Sequence, residues 1–171
     1  NRSFEYYDSN GENDLRMLCW ERTGDCDFSI KSRFPLSQAH GNYARLTGTQ
    51  NQGIRNLGFC KEGFAVQKDM AYRFSCYARN AAPISLIIRL TDREGIPQCE
   101  KKLALVRAGH GWTRYTMTLT ASKDCKYAFL EILLGKEGSV DLDLISLFPA
   151  DTFHNRENGM RKDLAEMLQA L

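Results

Sequence analysis

The sequence predicts a mainly β protein, an antiparallel β-sandwich of the jelly-roll kind followed by a C-terminal α-helix. Three observations lead there. Most of the chain divides into short segments that alternate apolar and polar residues, the two-residue period of a sheet buried on one face. Clusters of turn-forming residues separate these segments at 9–11, 48–53, 80–83, 92–95, 109–111 and 135–138. Between 149 and 158 the period changes from 2 to 3.6, so a helix follows the strands. Many short strands at this spacing pack as two sheets face to face.

In chain order the expected strands are 17–21, 28–34, 43–48, 63–67, 72–79, 84–92, 98–105, 113–121, 126–134 and 139–148. In 72–79, Tyr72, Phe74, Cys76 and Ala78 share one face, while Arg73, Ser75, Tyr77 and Arg79 share the other. In 84–92, Leu86, Ile88 and Leu90 alternate with Ser85, Ile87 and Arg89. The segment 49–56 reads as a loop. Asn158 is the expected N-cap of the helix, and Met160, Leu164, Met167, Leu168 and Leu171 fall on one apolar stripe. Residues 1–150 thus read as one sandwich domain and 151–171 as a linker and helix whose stripe faces a partner. A helix this short is marginal in water without packing.

Composition bounds the function. A chain of 171 residues suffices for one well-buried domain. Its net charge is +2 with Lys and Arg scattered, which argues against a nucleic-acid footprint. No apolar run approaches the roughly 20 residues of a membrane span. The chain opens at Asn1 and shows no signal peptide. Six cysteines at irregular spacing, in a chain of this length, read as free and mostly buried thiols rather than a disulfide framework. There is no CxxC pair, and His40, His110 and His154 are far apart, so a zinc site is not expected. Cys60 and Cys99 lie in polar surroundings but carry no nucleophile signature.

A sugar site needs aromatic platforms and planar polar groups. Tyr77, Arg73, Arg79 and Arg89 lie opposite the expected core, and the loop 49–56 adds Gln52 and Arg55. These six are the candidate ligand-binding residues. Trp20 and Trp112 read as structural, Trp112 at the core edge. Solvated arginines on an outer strand face are the competing account.

Several segments resemble family 51 α-L-arabinofuranosidases: NRSFEYY at the start, NYARLTGTQNQGIRNLGF in the middle, and VDLDLISLFPADTFHNRENGMRKDLAEMLQAL at the end. AYRFSCYAR and GHGWTRYTMTLTA are similar to the galactose-binding-like jelly rolls of carbohydrate-binding-module families 4 and 9. The matching region is the carbohydrate-binding-module-like domain that precedes the catalytic barrel. The resemblance implies a parent glycoside hydrolase that removes terminal arabinofuranosyl groups from arabinan or arabinoxylan with retention. That chemistry uses two carboxylates about 5 Å apart. In the family both are barrel glutamates, one within an Asn-Glu dipeptide. No Asn-Glu dipeptide occurs here, so by resemblance the chain itself holds no catalytic residue.

The resemblance also implies that Glu5 and Asp143 help hold a structural calcium, with no other cofactor. Asp141 faces the same way as Asp143, and one of the two is expected to be solvated. The implied partners are an arabinose-containing plant cell-wall polysaccharide and the chain's own (β/α)8 barrel. The implied location is secreted or periplasmic. The alternative is a structural domain that docks on the barrel and binds no sugar.

Overall fold

The computed structural model describes residues 2–8, 10, 13–106, 109 and 111–170. In chain order the strands are β1 (Trp20–Thr23), β2 (Asp27–Lys31), β3 (Tyr43–Gly48), β4 (Gly53–Asn56), β5 (Phe64–Val66), β6 (Ala71–Arg79), β7 (Ile84–Thr91), β8 (Pro97–Leu105), β9 (Thr113–Thr120), β10 (Cys125–Leu134) and β11 (Gly138–Pro149). One helix, α1 (Lys162–Gln169), follows. The strands form two antiparallel sheets. Sheet A runs β1-β4-β10-β7-β8, with β5 pairing the N-terminal part of β10, and sheet B runs β2-β3-β11-β6-β9. This is the sandwich that the alternating pattern predicts.

The core lies between the sheets and is built from every second residue. Sheet A contributes Ile54, Leu86, Ile88, Leu90 and Ile132, and sheet B contributes Leu46, Phe74, Leu119 and Leu142, all fully buried. Phe4 plugs one edge, with its ring 5.8 Å from Trp20 and 6.3 Å from Phe28. The backbone beside it is tied down by Ile145 N–H donating to the Arg2 carbonyl at 2.9 Å. That bond forms where β11 bulges against β6 between Asp143 and Ser146. The bulge thus creates a docking point for the first residues of the chain.

Two expectations need correction. The segment 49–56 is not all loop, because β4 lies within it, between β1 and β10. Its four residues carry a single inward apolar side chain, Ile54, which is too little for a periodic signal. Gly53 permits this placement, since a Cβ there would lie 2.0 Å from the Ile132 carbonyl oxygen. The helix starts at Lys162 rather than beside Asn158, whose φ of 54° is left-handed and stops a helix from starting there. Instead, 152–161 curl into a turn in which Phe153 N–H donates to the Met160 carbonyl and Thr152 Oγ1 donates to that of Arg156.

The helical stripe itself is as expected but uncovered. Met160, Leu164, Met167 and Leu168 are 54%, 43%, 63% and 61% exposed, and only Ala165 of α1 is buried. Leu171 of the stripe, Ser9 and Gly11 of the first turn, and His110 lie outside the described residues. All six cysteines are free. Only Cys26 and Cys76 are fully buried, however; Cys19, Cys99 and Cys125 are half-buried and Cys60 is exposed.

The close approach at Gly53 gives a direct test. Gly53→Ala should lower stability by about 1–3 kcal/mol, the range for overpacking a tight site. Chemical denaturation of both proteins checks this, and an unchanged midpoint would show that β4 does not sit as tightly as described.

Candidate functional site

The two outer faces of the sandwich carry different electrostatics. On sheet A a charge ladder crosses five strands in register: Glu21, Arg55, Glu131, Arg89 and Glu100. Glu131 stands at its centre and is fully buried. Arg55 Nε donates to its Oε1 at 2.7 Å, and Arg89 Nε donates to its Oε2. The outer rungs are looser, 3.6 Å from Arg55 to Glu21 and 3.8 Å from Arg89 to Glu100. Each arginine therefore lies between two carboxylates.

Sheet B has the reverse balance. Asp141 on β11 lies between Arg45 on β3 and Arg79 on β6. Arg45 donates through Nε and Nη2 at 2.7 and 3.0 Å. Arg79 donates through Nε and Nη2 at 3.1 and 2.7 Å. The hydrogen bond to Asp141 raises the pKa of Arg45 above its already high ordinary value. Beside this triad opens a cavity of about 1130 Å³ whose wall includes Lys31, Arg33, Phe34 and Tyr43.

The lip of the cavity is held in an unusual conformation. Phe34 has φ of 60°, a left-handed backbone that costs energy for a bulky residue. Its carbonyl accepts from Arg79 Nη1 at 2.7 Å and, more weakly, from Trp112 Nε1 at 3.4 Å. The ring it presents is 68% exposed. The Arg33 guanidinium lies 5.1 Å from the centre of that ring. Beneath, Arg79 stacks 4.9 Å from Tyr43 and 4.7 Å from Trp112, and these two rings meet edge to face at 5.3 Å. Tyr43 Oη donates to the Arg33 carbonyl at 2.8 Å. An exposed aromatic thus stands on a backbone that Arg79 and Trp112 hold by its carbonyl.

The residues expected to bind ligand do not share one place. Arg79 lines this cavity. Tyr77 lies two residues along the same face of β6, in register with Asp143 and Arg114. Arg73 lines a smaller cavity of about 310 Å³ with Arg114 and Glu157. Arg55 and Arg89 are on the opposite side of the molecule, both committed to Glu131. The Gln52 Oε1 accepts from Thr49 N–H at 2.9 Å and braces its turn. Sequence reasoning missed Lys31, Arg33, Phe34, Tyr43, Arg45 and Asp141. A signal existed in Tyr43 and Arg45, which alternate with the core residues Ala44 and Leu46. Trp112 is not a core-edge residue, because its half-buried ring belongs to the stack under Arg79.

The expected solvation of Asp141 or Asp143 is also corrected: Asp141 is 5% exposed and Asp143 0%. Asp143 Oδ1 accepts from Leu144 N–H at 2.7 Å, while its buried Oδ2 has no hydrogen-bond partner among the described residues. Burial pushes its carboxyl up to about 7; the negative charge of Glu5 adds to the rise and Arg2 opposes it. Glu5 Oε1 accepts from Asn42 N–H at 2.6 Å, and Oε2 accepts from Asn42 Nδ2. An orphaned buried carboxylate oxygen within the field of a second carboxylate fits a hard cation. Among the described residues no three His, Cys, Asp or Glu side chains gather, so backbone oxygens and water would complete such a site.

An extracellular exo-α-L-arabinofuranosidase of Streptomyces chartreusis is 31% identical to this chain over 173 residues, covering 100% of this chain and 20% of that protein. Alpha-L-arabinofuranosidase 1 of Arabidopsis thaliana is 28% identical over 118 residues, covering 68% of this chain and 17% of that protein. Among solved structures, an arabinose-bound family 51 α-L-arabinofuranosidase superposes with a TM-score of 0.79 at 22% identity, over 91% of this chain and 27% of that one. The CBM22-1 xylan-binding domain from Paenibacillus barcinonensis Xyn10C superposes with a TM-score of 0.60 at 15% identity, over 86% and 91%. No family model matches the chain. No helix among the described residues is long and apolar enough to cross a membrane.

The ladder on sheet A should be structural. Glu131→Ala leaves two guanidiniums facing one another and should cost about 3–5 kcal/mol, as breaking a buried pair does. Glu21→Ala, at the exposed end, should cost about 0–1 kcal/mol. Denaturation of the two variants checks the contrast, and equal losses would refute it.

Proposed function

We propose that this chain, related throughout its length to the family 51 α-L-arabinofuranosidases, is an accessory domain that binds sugar for a catalytic barrel. The parent enzyme would remove terminal arabinofuranosyl groups from arabinan or arabinoxylan by the retaining, two-carboxylate route. The chain spans 20% of the length of its Streptomyces relative, which leaves ample room for that barrel. The extracellular description of that relative supports a secreted or periplasmic location.

The observation that carries the reading is the Phe34 lip. Its φ of 60° holds a large apolar ring 68% exposed beside a cavity of about 1130 Å³. Strain of this kind persists where the surroundings impose it, and it clusters at binding sites. A sugar presents an apolar ring face and a rim of hydroxyls, which suits an aromatic platform flanked by Arg45 and Arg79. Tyr77 extends the same face.

A second reading is favoured by a separate observation, the apolar stripe of Met160, Leu164, Met167 and Leu168, exposed at 43–63%. Its occupant would be the barrel, and the sandwich would then be a docking domain that binds no sugar.

We also propose that Asp143 and Glu5 hold a calcium ion that joins the first residues of the chain to the bulge in β11. The ion would give the buried Asp143 Oδ2 the partner that it lacks among the described residues.

Two outcomes follow. Calorimetric titration with arabinan or arabinoxylan oligosaccharides should give measurable binding that Phe34→Ala weakens about tenfold, or ~1.4 kcal/mol, without changing the melting temperature. Absence of heat at millimolar ligand would leave only the docking reading. Millimolar calcium should raise the melting temperature, a chelator should reverse the rise, and Asp143→Asn should abolish it. A wild-type protein indifferent to calcium ends the metal proposal.

A further inference from the structure

We infer that the cavity beside Phe34 selects acidic sugars, and that its ligand is a saccharide bearing a uronic acid carboxylate. The inference rests on the proposed sugar binding and names the class of sugar. Among the described lining residues, four side chains are cationic, Lys31, Arg33, Arg45 and Arg79, against the single carboxylate of Asp141. That carboxylate is already occupied by two arginines.

The cations divide by role. Arg79 spends Nε and Nη2 on Asp141 and Nη1 on the Phe34 carbonyl, so it is a positioning residue. Arg45 reaches Asp141 through Nε and Nη2, which leaves Nη1, and its side chain is 41% exposed. Arg33 and Lys31 are exposed and pair with no carboxylate among the described residues. Arg33 is held instead over the Phe34 ring at 5.1 Å. A ring stacked on Phe34 would therefore lie among three cations with free donors. A neutral pentose offers those cations only hydroxyls, whereas a uronate offers a planar carboxylate that matches a guanidinium fork.

On sheet A, by contrast, three glutamates surround Arg55 and Arg89, so each of these two arginines is already paired with two carboxylates.

The test is calorimetric titration of the protein with three short oligosaccharides: oligogalacturonate, a glucuronic-acid-substituted xylo-oligosaccharide, and a neutral arabinoxylo-oligosaccharide. Each is run at low and high sodium chloride, about 50 and 500 mM, because exposed charges are screened beyond roughly 10 Å at 0.1 M. At least one acidic ligand should bind about tenfold or more tightly than the neutral one at low salt, with the gap narrowing at high salt; which acidic ligand wins identifies the source. The double variant Lys31→Ala/Arg33→Ala should erase most of that gap, while Phe34→Ala should weaken acidic and neutral binding alike.

Neutral binding equal to or tighter than acidic binding would overturn the inference and leave the sugar-binding proposal standing. No effect of the double variant would also overturn it, as would equal binding of dextran sulfate that ignores Phe34→Ala. Failure of all three oligosaccharides to bind would remove sugar binding itself.

Discussion

The structure depends on a carboxylate placed at the middle strand of each sheet and held by an arginine from each neighbouring strand. Glu131 on β10 takes Arg55 and Arg89, and Asp141 on β11 takes Arg45 and Arg79. Burying such a charge is expensive unless its partners stand in one register. A slip of one residue would turn each arginine to the other face and leave the acid unpaired. The hydrophobic alternation sets which face of each strand is inward, and the triads then choose among the registers that alternation allows. Once β4, β10 and β7 are aligned by Glu131, the inner row of Ile54, Ile132 and Ile88 is aligned as well.

This also explains what could be read from the chain alone. In β6 and β7 the alternation runs for eight or nine residues, and each core residue expected there is buried. In β4 a single inward isoleucine leaves no period to detect, although the strand occupies a central place. The site was legible to the same degree. Arg79 could be placed on an outer face because it belongs to a long alternating segment. Phe34 could not, because its role comes from a left-handed backbone held by Arg79, 45 residues away. Side chains that act through cross-strand neighbours, such as Arg45 and Asp141, become visible only when the pairing is known.

The chain termini follow a related logic. The bulge in β11 gives up regular pairing at Leu144 and leaves a backbone donor for Arg2, so the N-terminal segment can carry Phe4 into the core. The cost is Asp143, drawn into the interior with one oxygen unpaired. At the other end, Glu157 pairs with Arg114 on β9 and anchors the linker to sheet B, while α1 beyond it covers none of the sandwich core. The linker thus meets sheet B before the exposed stripe begins.

The two triads share a design but end differently. On sheet A, Arg55 and Arg89 each meet a further glutamate, and the ladder closes on itself. On sheet B the row stops at Arg45, which faces Ser29 on β2 rather than an acid. A carboxylate at position 29 would give Arg45 a second acid, as Glu21 gives one to Arg55. The absence of that one rung leaves Arg45 hydrogen-bonded to a single carboxylate, where Arg55 and Arg89 each lie between two, so one position in an edge strand separates the closed ladder from the open one.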